Sequence, residues 1–307
     1  MSDEAALLAH IRGHPDDATA KLVYADWLDE RGDPRAAVIR AAERLSTLSV
    51  LKADYWEAKA ARTELFATAD AEWLAALGYA RRHRPMFAAL PTDRGSRWRL
   101  LDRFVDVWRE PLRADDGYHE AELAHAEARL EFALPAALRE FYAIAGKRAD
   151  VFSRQDRFTE LAHLHLENDG QLLVRIENQG CTRWYVRAED LRLADPPVYG
   201  GDDNRCVSDT LSAFVLFAAV YEAKFDRGVI WCQVFPPEEG TRDALLAGLV
   251  ETSLPKWYWF RDPVTFWEGD DLILEHHVAD DWWATVRTEA AYAQLVERTG
   301  GSVERWG

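Results

Sequence analysis

The spacing of apolar residues changes partway along this 307-residue chain, and that change constrains the fold more than any other feature. From Ser2 to about Ala80 the apolar residues recur every three to four positions, which is typical of amphipathic helices. From about Phe158 they alternate with polar residues over short segments, which is typical of half-buried strands. The strands come as hairpins and do not alternate with helices. We therefore predict an α+β fold, with an all-helical N-terminal module followed by a mostly antiparallel sheet packed with helices.

The N-terminal segment predicts short helices separated by clear stop signals. Gly32-Asp33-Pro34 predicts the end of one helix and the start of the next, with Gly at the C-terminal end, Asp as N-cap and Pro at the first helical position. A longer helix is predicted from about Tyr55 to Ala69, and a short one holds Trp73, Leu74 and Leu77.

The stretch HPDDATAKLVYADWLDERGDPRAAVIR resembles the bacterial repeat-companion domain, a short N-terminal module. The resemblance is dense over some 30 residues and is carried by Pro15, Asp16, Asp17, Leu22, Tyr24, Ala25, Asp26, Trp27, Leu28, Glu30, Arg31, Gly32, Asp33, Pro34, Arg35, Ala36 and Ile39. It implies no activity, and modules of this family often precede other domains. We assign residues 1–90 to this module, 91–99 to a linker and 100–307 to a second domain.

Two charged stretches of the module have both a structural and a functional interpretation. Asp26, Asp29 and Glu30 could form a metal or acid-base cluster, but their helical spacing beside Arg31 and Arg35 favours ion pairs and caps. The basic run ARRHRP, residues 80–85, could contact nucleic acid, but a solvated hinge between domains is favoured.

The net charge of the chain limits the possible partners. The chain carries 37 Lys+Arg against 53 Asp+Glu, a net charge of -16. Residues 1–95 account for -2 and the remainder for -14. Such an acidic protein is a poor match for nucleic acid or an anionic membrane, and it suits a basic partner.

The terminus and the cysteines indicate a cytosolic protein. MSDEAALLAHIRG lacks a basic n-region and a long apolar segment, so it is not a secretory signal. The apolar run FVLFAAVY from Phe214 is far shorter than the ~20 residues of a membrane helix. Cys181, Cys206 and Cys232 are few and scattered, so neither a disulfide framework nor a zinc site follows.

Two hairpins are predicted in the second part. ELAHLHL and QLLVRIE flank Asn168-Asp169-Gly170, a strong hairpin signal. QLLVRIE and TRWYVR flank a second turn at Asn178-Gln179-Gly180-Cys181, where Gly180 is free to adopt a positive φ. Leu172, Val174 and Ile176 are expected to share one face of their strand. SDTLSAFVLFAAVYEA predicts a helix opened by Ser208 or Asp209.

The order of the segments ENQG, Trp184, DPPV and SDTLSAFVLFAAVYEA resembles the SUKH superfamily, which includes bacterial immunity proteins and a fungal regulator of cell-wall synthesis. AEARLEFALPAALREFY resembles the opening helices of that family, and the resemblance covers about residues 100–300. Residues 242–266 and the fused N-terminal module depart from the family pattern. The motif is carried by Glu177, Asn178, Gln179, Gly180, Trp184, Pro196 and Pro197.

The resemblance implies binding without catalysis, since many SUKH proteins neutralise toxins by direct contact. We therefore expect Glu177, Asn178 and Gln179 to organise a turn by hydrogen bonding. The flexible acidic loop containing Asp202, Asp203 and Asn204 is a reasonable contact for a basic toxin. Trp257 and Trp259, with Trp282 and Trp283, could add an aromatic contact surface, although one of each pair is expected in the core.

The main rival to this interpretation is a metal site. On a strand, His163, His165 and Glu167 would point to one face, and Glu275 and His277 could add ligands. Glu167 enters the predicted turn, however, which breaks the alignment. The sequence contains no Walker A, G-x-S-x-G, H-E-x-x-H or G-x-G-x-x-G motif.

Three functions follow in order of preference. The first is an immunity-type protein whose acidic second domain binds a basic toxin. The second is a scaffold or regulatory protein whose two modules bind two partners, and the third is a metal-dependent enzyme. The favoured interpretation needs no metal or cofactor and involves a protein partner, with neither nucleic acid nor membrane.

Overall fold

The structure is a computed structural model that describes residues 3–80, 82–167, 169–201, 204–235, 239–259, 262–277 and 281–306. The chain divides into two compact units, Met1–Arg81 and Arg82–Gly307. The first is helical and the second combines helices with two antiparallel sheets, which confirms the predicted α+β class.

The first unit consists of helices α1 (Asp3–Gly13), α2 (Ala18–Asp29), α3 (Arg35–Thr47), α4 (Ala53–Thr68) and α5 (Ala71–Ala76). Their apolar faces form one core, which includes Ile11, Tyr24, Leu28, Ile39 and Leu77.

The stop signal ends α2 as predicted, but Pro34 occupies the N-cap position predicted for Asp33. Gly32 has a φ of +65°, the left-handed conformation that glycine adopts without strain. Pro34 directly precedes α3, and the Asp33 carboxylate accepts a hydrogen bond from the Arg35 N–H at 2.9 Å.

Ion pairs occupy the acidic cluster of α2. Arg40 on α3 contacts Asp26 at 2.6 Å and Asp29 at 2.5 Å, and Glu30 lies 3.6 Å from Arg31. The ion-pair interpretation therefore describes the cluster, with Arg40 instead of Arg35 as the main cation.

The boundary between the units differs from the predicted linker. Helix α6 (Arg94–Trp108) begins inside the stretch 91–99, where the Asp93 carboxylate accepts from the Ser96 N–H at 2.8 Å. The interpretation of 80–85 as a solvated hinge is wrong at His83, which is fully buried in the second unit. Its partners lie far away in sequence, for example Asp271, whose carboxylate accepts from the His83 N–H at 3.0 Å.

The other helices of the second unit are α7 (Glu120–Leu130), α8 (Ala136–Ala145), α9 (Ala149–Phe152), α10 (Leu211–Ala223), α11 (Glu239–Leu246) and α12 (Glu289–Arg298).

The first sheet is an antiparallel meander. Its strands are β1 (Arg157–Phe158), β2 (Gln171–Ile176), β3 (Arg183–Arg187), β4 (Val198–Gly200) and β5 (Arg205–Ser208), in that spatial order. The hairpin β2–β3 is confirmed.

The strand predicted at ELAHLHL is wrong. Residues Leu161–His163 form a 3₁₀ turn, and a single bridge between Leu166 and Leu172 is the remaining sheet contact described there.

The second sheet is also antiparallel. Its strands are β6 (Ile230–Val234), β7 (Val250–Glu251), β9 (Asp262–Gly269), β10 (Leu272–His277), β11 (Asp281–Val286) and β12 (Val303–Arg305). Their spatial order is β12-β6-β11-β10-β9-β7. A further strand, β8 (Trp257–Trp259), pairs with β9. A core containing Trp282 and Leu274 joins one face of this sheet to α12.

Helix α10 lies between the two sheets. All 13 of its residues are buried, because Phe214 packs near Trp184 of β3 while Phe217 packs near Phe266 of β9. Thr210, not Ser208 or Asp209, is the N-cap residue. The Asp195 carboxylate supplies the missing acceptor by bonding the Ser212 N–H at 2.9 Å.

Among the described residues, no helix combines the length and the hydropathy that a bilayer crossing requires.

Candidate functional site

The ENQG segment forms the tight turn between β2 and β3. The Gly180 N–H donates to the Glu177 carbonyl at 2.8 Å, and Gly180 has a φ of +78°. The Glu177 carboxylate accepts from the N–H groups of Gln179 at 2.9 Å and Cys181 at 3.1 Å. The carboxylate is thus used to organise its own turn, since each of these donors would otherwise need another acceptor.

A bulge just before this turn changes which residues are buried. The pairing of β2 with β3 shifts register between Leu173 and Arg175, so Val174 and Arg175 are both buried. The expectation that Ile176 shares the buried face of Leu172 and Val174 is therefore wrong, because Ile176 is only half-buried.

Arg175 is the centre of a buried ionic cluster. Its side chain is 1% exposed and donates to Glu222 of α10 and, at 3.3 Å, to Asp156. The rings of Phe158, Trp184 and Tyr221 each lie within 5.6 Å of the guanidinium carbon.

Glu222 ties three segments of the chain together. Besides Arg175, its carboxylate accepts from the N–H groups of Arg154 at 2.9 Å, Gln155 at 2.7 Å and Asp156 at 3.1 Å. The Asp156 carboxylate in turn accepts from the Asn178 N–H at 3.3 Å. The ENQG turn, the segment 154–156 and helix α10 are thereby held in one arrangement.

The cluster carries one cation and two carboxylates, and this imbalance affects Asp156. Burial raises the pKa of Asp156 to about 6; Arg175 opposes the shift and Glu222 adds to it. Because these side chains are at most 2% exposed, a substrate cannot reach them, and the cluster fits a structural role.

Trp184 and the two prolines of the DPPV segment also have a structural role, because they pack against other parts of the protein. Trp184 is buried against Gly200, its cross-strand neighbour on β4, where an added Cβ would come within 2.6 Å of the Trp184 ring. Pro196 is buried and Pro197 half-buried in the segment that leads into β4.

A second buried cluster involves the basic run at residues 80–85. The Trp108 indole N–H donates to His83 Nδ1 at 3.0 Å, and His83 Nε2 faces a Glu268 carboxylate oxygen at 3.2 Å. The other Glu268 oxygen accepts from the N–H groups of Met86 and Phe87. No sequence signal pointed to this cluster, since Glu268 lies about 180 residues from the segment it holds.

Glu275 and His277, considered as metal ligands, belong to a third cluster. Glu275 accepts from Lys224 at 2.7 Å and lies 3.4 Å from His277. Burial would raise the pKa of Glu275, but the adjacent Lys224 and His277 hold it below its ordinary value.

The histidines considered as metal ligands lie at the surface. His163 ends the 3₁₀ turn and lies 3.5 Å from Glu160, whereas His165 Nε2 lies 3.7 Å from Glu167. The strand geometry that would align the three side chains is therefore not formed. Within the described parts of the chain, no three His, Cys, Asp or Glu side chains are grouped as metal ligands.

The predicted partner-binding residues lie mostly outside the described part of the structure. Asp202 and Asp203 are not described. Asn204 is exposed, with a φ of +52°, and its carbonyl accepts from Arg187 at 3.3 Å. Trp257 and Trp259 lie on β8, whose side chains are outside the description.

An aromatic surface is present instead on the second sheet. Trp231 and Trp283 stack with ring centroids 4.7 Å apart, and Trp306 lies 5.7 Å from Trp283. Trp306 is 57% exposed. We call Trp231, Trp283 and Trp306 the tryptophan face.

The tryptophan face lies in the most acidic part of the chain. Residues 201–307 contain 9 Lys+Arg and 19 Asp+Glu, a net charge of -10, whereas residues 82–200 contain 18 and 20. The acidity assigned to the whole second domain is therefore concentrated in the segment that builds α10 and the second sheet.

The first unit contains an apolar groove between α1 and α2. Its volume is about 650 Å³, and apolar side chains including Leu7, Val23 and Trp27 line it. Asp3 and Asp17 supply carboxylates to the lining.

No family model, curated protein or solved structure matches the chain.

Proposed function

We propose that this chain is a non-enzymatic cytoplasmic protein of the SUKH type, which neutralises a basic toxin by direct contact. The observation that carries the proposal is the concentration of negative charge in residues 201–307, together with the tryptophan face in the same segment. The order of ENQG, Trp184, DPPV and the apolar helix supports the family assignment.

The charge supports a basic protein as the partner. Complementary charge raises the association rate and disfavours acidic competitors, and its effect falls as salt screens it. The exposed Trp306, beside the half-buried Trp231 and Trp283, adds the kind of aromatic contact that carries much of the energy in protein interfaces. The partner in this proposal is neither nucleic acid nor membrane, and binding needs no cofactor.

The internal use of the charged groups supports binding over catalysis. Glu177, Glu222 and Glu275 each accept from donors of the protein itself. Their carboxylates stabilise the scaffold that presents the surface.

The proposal is tested by co-expressing the full chain with each toxin encoded beside its gene. We expect one toxin to co-purify in a stable complex whose association rate falls steeply with added salt. Failure to form a complex with any of these toxins would remove the proposal.

The groove of the first unit supports a second candidate function, a scaffold with two binding modules. An apolar groove between two helices suits an amphipathic helix, and Asp3 and Asp17 would favour one with a basic residue. The full chain with Val23→Asp would then lose a partner that the control Leu51→Asp, also at an exposed position of this unit, retains. Equal capture by both variants would count against the scaffold.

A further inference from the structure

We propose that the tryptophan face binds an arginine side chain of a basic protein partner, with Asp281 and Glu304 as its acidic neighbours. This inference rests on the proposed function and identifies the surface that performs it.

Strand order brings the three tryptophans together. Trp231 lies on β6 and Trp283 on the adjacent β11, while Trp306 directly follows β12 on the other side of β6. The Trp306 N–H donates to the Trp231 carbonyl at 2.9 Å, which fixes this residue beside the sheet.

On this side of the sheet Ile273, Glu275 and Thr285 are buried, so the exposed part is the edge at Trp306. Trp282, the chain neighbour of Trp283, is 0% exposed in the core beneath α12. Trp306 at 57% and Phe235 at 45% are instead among the most exposed large apolar side chains. Phe235 follows β6 and by alternation lies on the side of Trp231, which extends the apolar surface.

Two carboxylates, Asp281 and Glu304, lie beside the tryptophan face. Glu304 of β12 pairs with Gln233, and Gln233 pairs with Trp283, so the three share one face of the sheet. Asp281 accepts from the Trp283 indole at 3.0 Å and from Gln233 at 3.1 Å. These carboxylates make the surface complementary to a cation.

The nearby arginine of β12 is directed elsewhere. Arg305 pairs with Cys232, a residue of the opposite buried face, and donates to Glu289 at 3.1 Å. Among the described residues of β6, β11 and β12, the charged side chains on the side of the tryptophan face are Asp281 and Glu304. On the adjacent strand β10, His277 pairs with Asp281, and Glu275, which pairs with Trp283, lies 2.7 Å from the Lys224 ammonium.

Arginine fits this surface better than lysine. A guanidinium stacks on an indole and still presents N–H donors in its plane to a carboxylate, whereas an ammonium is a compact, strongly hydrated charge. In the described part of the chain each Asp281 oxygen accepts one hydrogen bond, and a carboxylate oxygen has two lone pairs, so it can accept from an incoming guanidinium. The chain itself contains this type of contact, since the Arg31 guanidinium lies 3.8 Å from the Trp27 ring centroid.

The test uses the full chain and two capped peptides, one alternating arginine with glycine and one alternating lysine with glycine. Titration calorimetry at low salt would compare the wild type, Trp306→Ala and the control Leu193→Ala, which removes an apolar side chain that is 43% exposed. We expect Trp306→Ala to weaken binding of the arginine peptide about fivefold, from the loss of one cation–π contact of about 1 kcal/mol. Leu193→Ala should bind like the wild type, and the lysine peptide should bind more weakly throughout.

Equal binding of the arginine peptide by all three proteins would overturn the inference. A toxin complex that forms equally well with the wild type and Trp306→Ala would also overturn it, while leaving the proposed function intact. The absence of any toxin complex with the wild type would instead remove the proposed function. A circular dichroism melt of each variant confirms that the comparison is between folded proteins.

Discussion

The two sheets of the second unit use their side chains in opposite ways. In the first sheet the Arg175 side chain points inward and pairs with Glu222 and Asp156. The charge of Arg175 is therefore balanced inside the protein. The second sheet buries Trp282 beneath α12 and leaves Trp306 exposed on its other side. In the proposed function, the sheet that carries the ENQG turn and Trp184 is the scaffold, and the second sheet presents the binding surface.

The physical basis of this division is the cost of burying charge. A buried ion pair contributes little net stability but strongly penalises the loss of one partner, so it favours one arrangement of the segments that it joins. An exposed aromatic cluster adds little to folding, yet it gains energy when a partner covers it. If the two sheets differ in this way, substitutions in the first should affect stability most, and substitutions on the exposed side of the second should affect it least.

The largest effect is expected on the scaffold side. Glu222→Ala leaves Arg175 with Asp156 as its carboxylate partner and removes the acceptor of three backbone N–H groups. We expect the free energy of unfolding, measured by urea titration, to fall by about 3–5 kcal/mol. The control Glu304→Ala, an exposed carboxylate of the second sheet, should change it by less than about 0.5 kcal/mol. Similar losses of stability in the two variants would contradict the structural role of Glu222.

Trp282 and Trp283 are adjacent on β11 but point to opposite faces of the second sheet, so substituting each one tests a different face. Trp282→Ala should cost about 3–5 kcal/mol of stability, because it opens a cavity in a fully buried core. Trp283→Ala should cost about 1–2 kcal/mol, because its half-buried ring loses mainly the stacking with Trp231. Thermal unfolding of both variants measures this difference, and a reversed order would show that the sheet faces are wrongly assigned.

The pH dependence of stability tests the role of Asp156, the second carboxylate of the Arg175 cluster. Because burial raises the pKa of Asp156 to about 6 from 3.8, the folded state binds the proton more tightly than the unfolded state. The contribution of Asp156 is therefore fully present below pH 3.8 and is lost as the pH rises through about 6. This difference in pKa between the folded and unfolded states corresponds to at most about 3 kcal/mol.

The contribution of Asp156 is isolated by comparing the free energy of unfolding of the wild type with that of Asp156→Asn, measured by urea titration between pH 4 and 7.5. The wild type should lose stability relative to the variant as the pH rises, since asparagine does not titrate. A difference that stays constant over this range would contradict the assignment of the raised pKa to Asp156.

The smallest effect is expected at the surface histidines. His163→Ala and His165→Ala should each change the free energy of unfolding by less than about 0.5 kcal/mol, because both side chains are exposed. Metal analysis of the purified wild type should find no stoichiometric ion. A bound ion that is lost in either variant would support the metal-site interpretation instead.

Local signals predicted much of the fold. Alternation and Gly180 predicted the β2–β3 hairpin, and the apolar run from Leu211 predicted α10. Gly32 predicted the end of α2. These features follow from backbone conformation and periodicity, which neighbouring residues determine.

The failures share one cause, which is dependence on distant residues. The bulge that buries Arg175 is stabilised by Glu222 on a helix about fifty residues later. Within the basic run at 80–85, His83 is buried because it faces Glu268, which is distant in the sequence, whereas Arg82 and Arg84 are exposed as predicted. The two units divide after Arg81, whereas the sequence predicts the linker at 91–99, and the Met86 and Phe87 N–H groups donate to the distant Glu268 of the second unit.

The sequence by itself determined the α+β class, the helical first unit, the hairpin at Gly180 and the acidity of the C-terminal segment. Only the tertiary structure decided which side chains share a surface. Trp231, Trp283 and Trp306 are separated by 52 and 23 residues in the chain, and they meet because β6 lies between β11 and β12. Strand order is set by packing over the whole sheet, so no local pattern encodes it.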